Sequence, residues 1–388
     1  MPRLRDLISA VVVFHLFGVL VGYAEPVEAS LLVASPGPRV FQCTGHAAIR
    51  LQCPTYGLDN VFSYETDYRG GLAGQILGQA RGRYARITYD DYCRIFTDEG
   101  RSVTSYRLNL TDSEIRRLWM LCDDAAESGI ESDFNLRWQN CNSAAFDKIT
   151  EALSDEMIVM HDDSLSRMDN GRIIRTVLSQ DRPWSVLILT AALGNDCNLT
   201  DSWRTRMVPV VIPDILPTAT IRSTDGTERP LIAGAPAELF AASVRTESPI
   251  ATPDRVFGLI LGLSVIISAA GLSHRWTRLV AVADRVALGL QTAASLILIA
   301  IAVLPLSIGG AWNWLYIPLN PLPAIVWLAG RRKTGTKVFF IVYGAACALF
   351  VAAPVFTSNA GTWSSLLSAA ISLRVLSHYL PTVYHKAK

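Results

Sequence analysis

The chain has 388 residues, of which 50% are hydrophobic and 18% charged, and its formal net charge is only +1. It is too apolar for a disordered protein and too weakly charged for a coiled coil. The near-neutral sum hides a division: residues 1–255 hold 33 acidic and 25 basic residues, a net −8, whereas residues 256–388 hold ten basic residues and the single acid Asp284, a net +9. An acidic, soluble part joined to a basic, strongly apolar part argues against a soluble cytosolic enzyme and against a nucleic-acid binder.

In chain order, Arg3 and Arg5 precede an apolar run from Leu7 to Ala24, with Gly22 and Ala24 as a small-x-small cleavage site before Glu25. Residues 1–24 therefore read as a secretory signal, and the domain after it is expected on the exported side. Residues 25–221 read as a globular domain. Leu31–Ala34, Ala47–Cys53 and Val61–Tyr64 are predicted strands, with Ile49, Leu51 and Cys53 alternating with Arg50 and Gln52. Thr111 and Glu114 form a capping box, flanked by Leu110 and Ile115 as a hydrophobic staple. The helix they open carries Ile115, Leu118, Trp119 and Cys122 on one face. A second helix starts near Asn140 and turns Ala145, Ile149 and Ala152 inward. A third runs from Pro183 to Gly194, apolar nearly all round but only 12 residues long, so it is expected to be buried or interfacial, not spanning. Residues 222–255, rich in Ser, Thr, Pro and Gly, read as a connector.

Five apolar segments come next, 256–272, 286–306, 313–330, 338–356 and 363–381, each close to the roughly 20 residues that cross a bilayer. The loop 273–285 carries Arg275, Arg278 and Arg285, the loop 331–337 carries Arg331, Arg332, Lys333 and Lys337, and the tail 382–388 carries Lys386 and Lys388, whereas 307–312 and 357–362 carry no charge. Positive loops lie inside. The expected arrangement is a multi-pass protein of the cell inner membrane with its N-terminal domain in the periplasm.

The exported part holds six cysteines, Cys43, Cys53, Cys93, Cys122, Cys141 and Cys197, and two histidines, His46 and His161. In an oxidising compartment disulfides among the cysteines are the plain expectation. No C-x-x-C or clustered ligand spacing is present, so no metal and no cofactor are expected. His161 lies in an acidic, polar stretch and reads as a surface residue. His46 follows Gly45 at the start of a strand, where a side chain can project into a cleft. Cys141 follows Asn140 at a helix start, where the unpaired N–H groups and the helix dipole favour a thiolate. An imidazole beside it would lower the thiol pKa further and accept its proton.

The residues around these positions resemble a known family. Leu31-Leu32-Val33-Ala34-Ser35-Pro36-Gly37, Gly45-His46-Ala47-Ala48-Ile49-Arg50, Asn109-Leu110-Thr111 with Glu114, and Asn140-Cys141 with Asp147 and Ile149 occur in that order. They are followed by Pro183-Trp184, Ala192-Leu193-Gly194 with Asp196, Arg229-Pro230-Leu231, and Asn313-Trp314-Leu315 with Asn320-Pro321-Leu322. Over nearly the whole mature chain this pattern is similar to the Lnb family, the lyso-form lipoprotein intramolecular acyltransferases. The resemblance implies an α+β, permuted papain-like domain of the NlpC type, followed by an all-α transmembrane bundle. In the permuted order the His strand precedes the Cys helix, as His46 precedes Cys141. It also implies thiol-dependent acyl transfer on a lipid-linked substrate such as a lipoprotein N-terminus. Gln139, Ala47 and Thr44 depart from the residues common in the family, as does Met207-Val208-Pro209 from its Phe-Leu-Pro.

A third polar residue should orient the imidazole; Asn60, Ser63 and Tyr64 lie on the next strand, and Tyr64 is the first choice. Asn140 and Trp138 are expected to line the substrate path. Asn313, Asn320 and Arg374, polar groups in apolar spans and therefore costly there, are expected to line a lipid groove. The expected partners are the bilayer and a membrane lipid or lipoprotein, not nucleic acid. A cell-wall cysteine peptidase and a non-enzymatic membrane scaffold are the alternative readings.

Overall fold

A computed structural model describes residues 27–37, 39, 42–67, 81–135, 138–161, 168–178, 182–200, 209–241, 250–303, 312–330, 334–353 and 361–380. The expected signal, 1–24, and the tail, 382–388, lie outside the described residues. The architecture is mixed α+β: a sheet domain followed by apolar helices.

The N-terminal half is built on a hairpin. Strands β1 (Glu28–Ala34), β2 (His46–Cys53), β3 (Leu58–Asp67) and β4 (Arg81–Thr88) pair antiparallel in sequence order. With β5 (Val103–Arg107), β6 (Ser132–Asp133) and β10 (Ala237–Phe240) they form a seven-stranded sheet of order β10-β5-β1-β2-β3-β4-β6. Strand alternation sends Leu32, Ala34, Ala48 and Val61 to one face, where helix α1 (Tyr89–Asp98) covers them with Tyr92 and Phe96. The other face, with Leu31, Val33, Ile49, Leu51 and Phe62, is covered by α2 (Asp112–Ser128) and α3 (Cys141–Leu153). Leu118, Phe146 and Ile149 are fully buried there; truncating any of them to Ala costs about 2–5 kcal/mol.

The expected capping box of α2 is present, Thr111 and Glu114 each closing on the other's backbone, and Leu110 and Ile115 pack into the core beneath it. Helix α3 begins at Cys141 with Ala145, Ile149 and Ala152 buried. A second, three-stranded sheet joins β7 (Met157–Val159), β8 (Thr220–Arg222) and β9 (Glu228–Pro230). The stretch expected as a connector thus supplies β9 and β10 as well. Strands of three and four residues are too short to show an alternating pattern, and only pairing with β8 and β5 reveals them.

Helices α4 (Asn170–Leu178) and α5 (Pro183–Leu193) come next, then the short helix α6 (Ile212–Ile215). One side of α5, Leu189 and Leu193, packs with Ile173, Ile174, Cys43 and Val211. The other, Leu187 and Ala191, packs with Phe257, Leu298, Leu315 and Trp363 of the apolar half. Its apolarity all round is explained by this position between two cores.

Among the described residues, three helices are long and apolar enough to cross a membrane: α7 (Pro253–Ala270), α8 (Thr277–Val303) and, after α9 (Leu322–Gly330), α10 (Thr334–Ala352). Of the five expected spans, 256–272, 286–306 and 338–356 overlap these helices, and 313–330 and 363–381 have no such counterpart among the described residues. Residues 313–330 are helical only in α9 and in one 3-10 turn, Trp314–Tyr316. Nine residues rise about 14 Å, half of the hydrocarbon core. Pro318, Pro321 and Pro323 withhold the N–H groups a longer helix needs. Helix α11 (Thr362–Tyr379) has the length but spends Ser364, Ser368 and Ser372 on a buried stripe. Ser368 and Ser372 donate to the carbonyls of Cys347 and Gly344 at 2.9 and 2.8 Å. A Cβ on Gly344 would come within 2.8 Å of Leu376, so a small residue is what lets α10 and α11 approach.

Candidate functional site

His46 and Cys141 come together at the end of the sheet where the β2–β3 ladder stops. Gly45, at φ +89°, makes the turn into β2; a Cβ there would lie 2.8 Å from the Ala34 carbonyl, so glycine is required. The backbone of β2 pairs with β3 from Ile49 to Cys53. Above Ile49 the Ala47 N–H is turned to the Cys141 sulfur instead. The N-terminus of α3 fills this opening. Asn140 caps it: its Oδ1 accepts from the N–H groups of Asn142 and Ser143 at 2.9 and 3.0 Å, and its own N–H donates to Ser143 Oγ at 2.9 Å. Such a cap is worth about 1 kcal/mol and holds Cys141 as the first helical residue. Asn140, expected to line the substrate path, is 3% exposed and shapes the helix start.

The imidazole is fixed from its other side. His46 Nε2 lies 2.6 Å from Ser63 Oγ and 3.4 Å from Glu65 Oε1, which leaves Nδ1 for the thiol. Its ring stacks on Phe96 at 5.8 Å. Burial opposes the imidazolium, but the charge of the Cys141 thiolate and then that of Glu65 outweigh it and hold His46 up to about 10. Burial likewise opposes the thiolate, yet the charge and hydrogen bond of His46, with the Ala47 N–H, bring the Cys141 pKa below its ordinary value. Glu65 is the same balance seen from the third side: burial raises it, His46, Ser63 and the Arg101 guanidinium lower it, and it falls to about 2. Its side chain keeps 52% exposure with Oε1 turned onto the imidazole, so part of that depression is screened by solvent. Arg101 is 4% exposed and lies over the Phe96 ring at 4.6 Å.

The third position is thus occupied by Glu65, with Ser63 beside it, and not by the expected Tyr64. Alternation puts Tyr64 on the opposite face of β3. There it lies across Gly82, stacks with Phe134 at 6.4 Å and hydrogen-bonds Ser132 at 2.6 Å. The signal for Glu65 was in the hairpin. The turn Pro54–Gly57 sets Cys53 opposite Leu58 and Ile49 opposite Phe62, and the same register carried upward sets residue 65 opposite 46.

The remaining expected residues lie elsewhere. Trp138 is 52% exposed, just before the cap. Asn313, 4% exposed, donates to the Ala191 carbonyl at 2.7 Å and accepts from Leu315 N–H, tying the apolar half to α5. A Cβ on Gly194, at φ +54°, would come within 2.8 Å of Asn313 and of the Trp312 carbonyl. Asn320 donates to Ile317 O at 2.9 Å and accepts from Leu322 N–H, which starts α9. Arg374 lies far along α11 from Trp363, about 16 Å at 1.5 Å per residue, and pairs with Asp284 through Nε and Nη2 at 3.1 and 2.8 Å. A shallow apolar depression lies between α10 and α11, lined by Ala348, Val351, Ala369 and Leu373.

His161 is at the surface, bonded to Thr220 and Glu228 at 2.9 and 3.1 Å. The expected disulfides are not formed by Cys53, Cys93, Cys122 or Cys197, which are free thiols, as is Cys141. Cys122 and Cys197 are packed as small apolar groups and burial pushes both up to about 12.

No family model matches this sequence, and no curated protein or solved structure matches the chain.

Proposed function

We propose that this protein is a membrane-bound, thiol-dependent acyltransferase with its sheet domain on the periplasmic side of the inner membrane. The observation that carries the reading is the Cys141–His46–Glu65 arrangement at a capped helix start. It holds a thiolate and an imidazolium side by side, the activated pair that acyl transfer uses. The Sγ of Cys141 attacks the carbonyl carbon of a lipid ester. The C–O bond breaks, the leaving alkoxide takes the proton of His46, and a thioester remains. An amine then attacks the thioester, His46 receives its proton, and the thiolate returns. Glu65 and Ser63 keep the ring turned so that Nδ1 faces sulfur through both halves.

The contact of α5 with Phe257, Leu298, Leu315 and Trp363 supports a lipid-linked substrate over a soluble one. It anchors the sheet domain on the ends of the apolar helices. Lifting a whole acyl chain into water would cost about 0.8 kcal/mol per CH₂. A site fastened to the bilayer needs to raise only the ester. The basic segments around Arg275, Arg278 and Arg331–Lys333 support an inside position for those loops and an outside one for residues 25–255. The resemblance to the lipoprotein acyltransferases points the same way, to a diacylglyceryl donor and an N-terminal amine acceptor.

The test is to incubate the full chain in micelles with a diacylated lipopeptide and map acyl mass on the Cys141 peptide. Acyl-Cys141, absent in Cys141→Ala, is the expected result. Cleavage of a cell-wall peptide with no fatty-acyl mass on Cys141 would establish a cysteine peptidase instead, and an inert thiol would leave a scaffold.

A further inference from the structure

The described part of the apolar half carries its charge at one end. Phe340 stacks on Tyr379 at 4.7 Å, and Arg374 bonds Ser268 and Asp284 at 2.7 and 2.8 Å. These contacts bring the starts of α8 and α10 together with the far ends of α7 and α11. Arg275, Arg278, Arg285 and Lys337 belong to the same end. Arg374 takes up Asp284, the only acid after residue 255, so no second carboxylate offsets the four cations. The shallow depression between α10 and α11 runs toward them. On α11 it is lined from Ala369 to Leu380, a rise of about 16 Å, and Leu380 directly follows Tyr379. That is about half of the hydrocarbon core, the depth of one leaflet. On α10 it is lined by Ala348 and Val351. Lys337 lies about three and about four turns before them, and so on the same face of α10, at the charged end. The segment 357–362, which precedes α11 at the other end, holds no charged residue.

We propose that this depression holds one phospholipid with a net-negative headgroup, an acyl chain lying along Ala369–Leu380 and the phosphate at Lys337. Apolar contact places the chain, and charge decides the headgroup. A phosphatidylglycerol phosphate meets Lys337 with no cation of its own, whereas phosphatidylcholine brings an ammonium up to the same basic end. The aliphatic stem of Lys337 follows the apolar face while its ammonium reaches the phosphate level. Arg275 lies over the Trp276 ring at 5.5 Å, and that indole, 45% exposed, marks the interfacial level at this end. The bound lipid is a resident of the bundle and not the acyl donor. Phe257 and Trp363, which meet α5 of the sheet domain, stand at the opposite ends of α7 and α11, so Cys141 lies at the far end from this headgroup. The site is therefore independent of the thiol chemistry proposed above.

The test is native mass spectrometry of the full chain in detergent, titrated with dioleoyl phosphatidylglycerol or dioleoyl phosphatidylcholine. One phosphatidylglycerol per chain should be retained, about fivefold or more tightly than phosphatidylcholine, the worth of about one cation at an anionic lipid. Lys337→Ala should bring phosphatidylglycerol down to the phosphatidylcholine level, and Lys337→Arg should keep the preference. Ala348→Phe, at an exposed position lining the depression, should lower retention of both lipids about fivefold or more. Arg278 is exposed and lies about 120° round α8 from Asp284, off the depression, so Arg278→Ala should stay within twofold of wild type. Equal retention of the two lipids would overturn the proposal. So would equal losses in Lys337→Ala and Arg278→Ala, which would reduce the effect to the field of the whole basic end. Unchanged retention in Ala348→Phe, loss of the preference in Lys337→Arg, or a dimer in place of the lipid adduct would overturn it as well.

Discussion

Glu65 stands across from His46, Oε1 to Nε2 at 3.4 Å, at a point where the two strands carrying them have stopped exchanging backbone hydrogen bonds. The gap admits the N-terminus of α3, and the side-chain pair spans it. One break in the ladder therefore both makes room for the Cys141 helix start and is bridged by this side-chain pair.

The pair sets the pH response. His46 is held up to about 10, against its burial, by the Cys141 thiolate and by Glu65. The alkaline limb of acyl transfer should thus follow the loss of the His46 proton and lie well above the ordinary histidine range. In Glu65→Gln the alkaline limb should move down by about one pH unit or more. Stability follows the same sign. The folded pKa of His46 exceeds the unfolded value of about 6.5, so its contribution is complete below about 6.5 and is lost as pH rises through the folded value. Glu65, lowered to about 2, contributes above its unfolded value and loses that as pH falls toward 2. Melting curves of wild type and Glu65→Gln should therefore converge at high pH and at low pH. A constant difference from pH 3 to 10 would refute the linkage.

Reactivity should be confined to one thiol. At mildly acidic pH iodoacetamide should label Cys141 ahead of Cys122 and Cys197, which burial pushes up to about 12. His46→Ala removes the leading cause of the lowered Cys141 pKa and should slow its labelling about tenfold or more at pH 6. Peptide mapping after timed labelling reads both effects. Equal rates in the two proteins would show that His46 does not activate the thiol.

The features legible in the sequence were those that depend on local chemistry. The Thr111–Glu114 box, the cap at Asn140 and the Pro183–Gly194 limits of α5 are each set by a few adjacent residues, and each stands where their chemistry puts it. His46 and Cys141 were legible for the same reason, one at a strand start and the other at a helix start. Proximity in sequence does not separate Tyr64 from its neighbours; the parity of the hairpin register puts residues 63 and 65, and not 64, on the face that carries His46. The membrane half was harder. Hydropathy marks 313–330 as one apolar segment although its helix covers only Leu322–Gly330, and it does not show that Ser368 and Ser372 of α11 are spent on α10.

The joint between the halves should matter for lipid and not for the thiol itself. Gly194→Ala places a Cβ within 2.8 Å of Asn313 and the Trp312 carbonyl, in a backbone conformation disfavoured for alanine. Asn313→Ala removes the bond to Ala191 O. Both variants should retain iodoacetamide labelling of Cys141 and turnover of a short soluble ester to within a few fold, yet lose about tenfold or more on a membrane-embedded diacyl substrate. Equal turnover of the embedded substrate would make the bundle an anchor only.

The far end of the bundle carries its own test. Asp284 is the single acid after residue 255, and Arg374 grips both its oxygens, through Nη2 at 2.8 and 3.0 Å, while Nη1 donates to Ser268 at 2.7 Å. The cluster joins α7, α8 and α11. A paired charge in such a place is neutral or weakly stabilising, whereas an orphaned one is costly, up to about 3–5 kcal/mol when fully buried. Asp284 keeps 33% exposure, so the cost here should be at the low end of that range or below it. Asp284→Leu alone and Arg374→Leu alone should each lower the unfolding temperature in detergent. The double Leu variant should recover most of the loss, because neither charge is then left without its partner. Cys141 lies in the other half of the molecule, so its labelling rate should not change in any of the three. Additive losses in the double variant would mean that the two residues act on separate neighbours and that the pair does not hold these helices together.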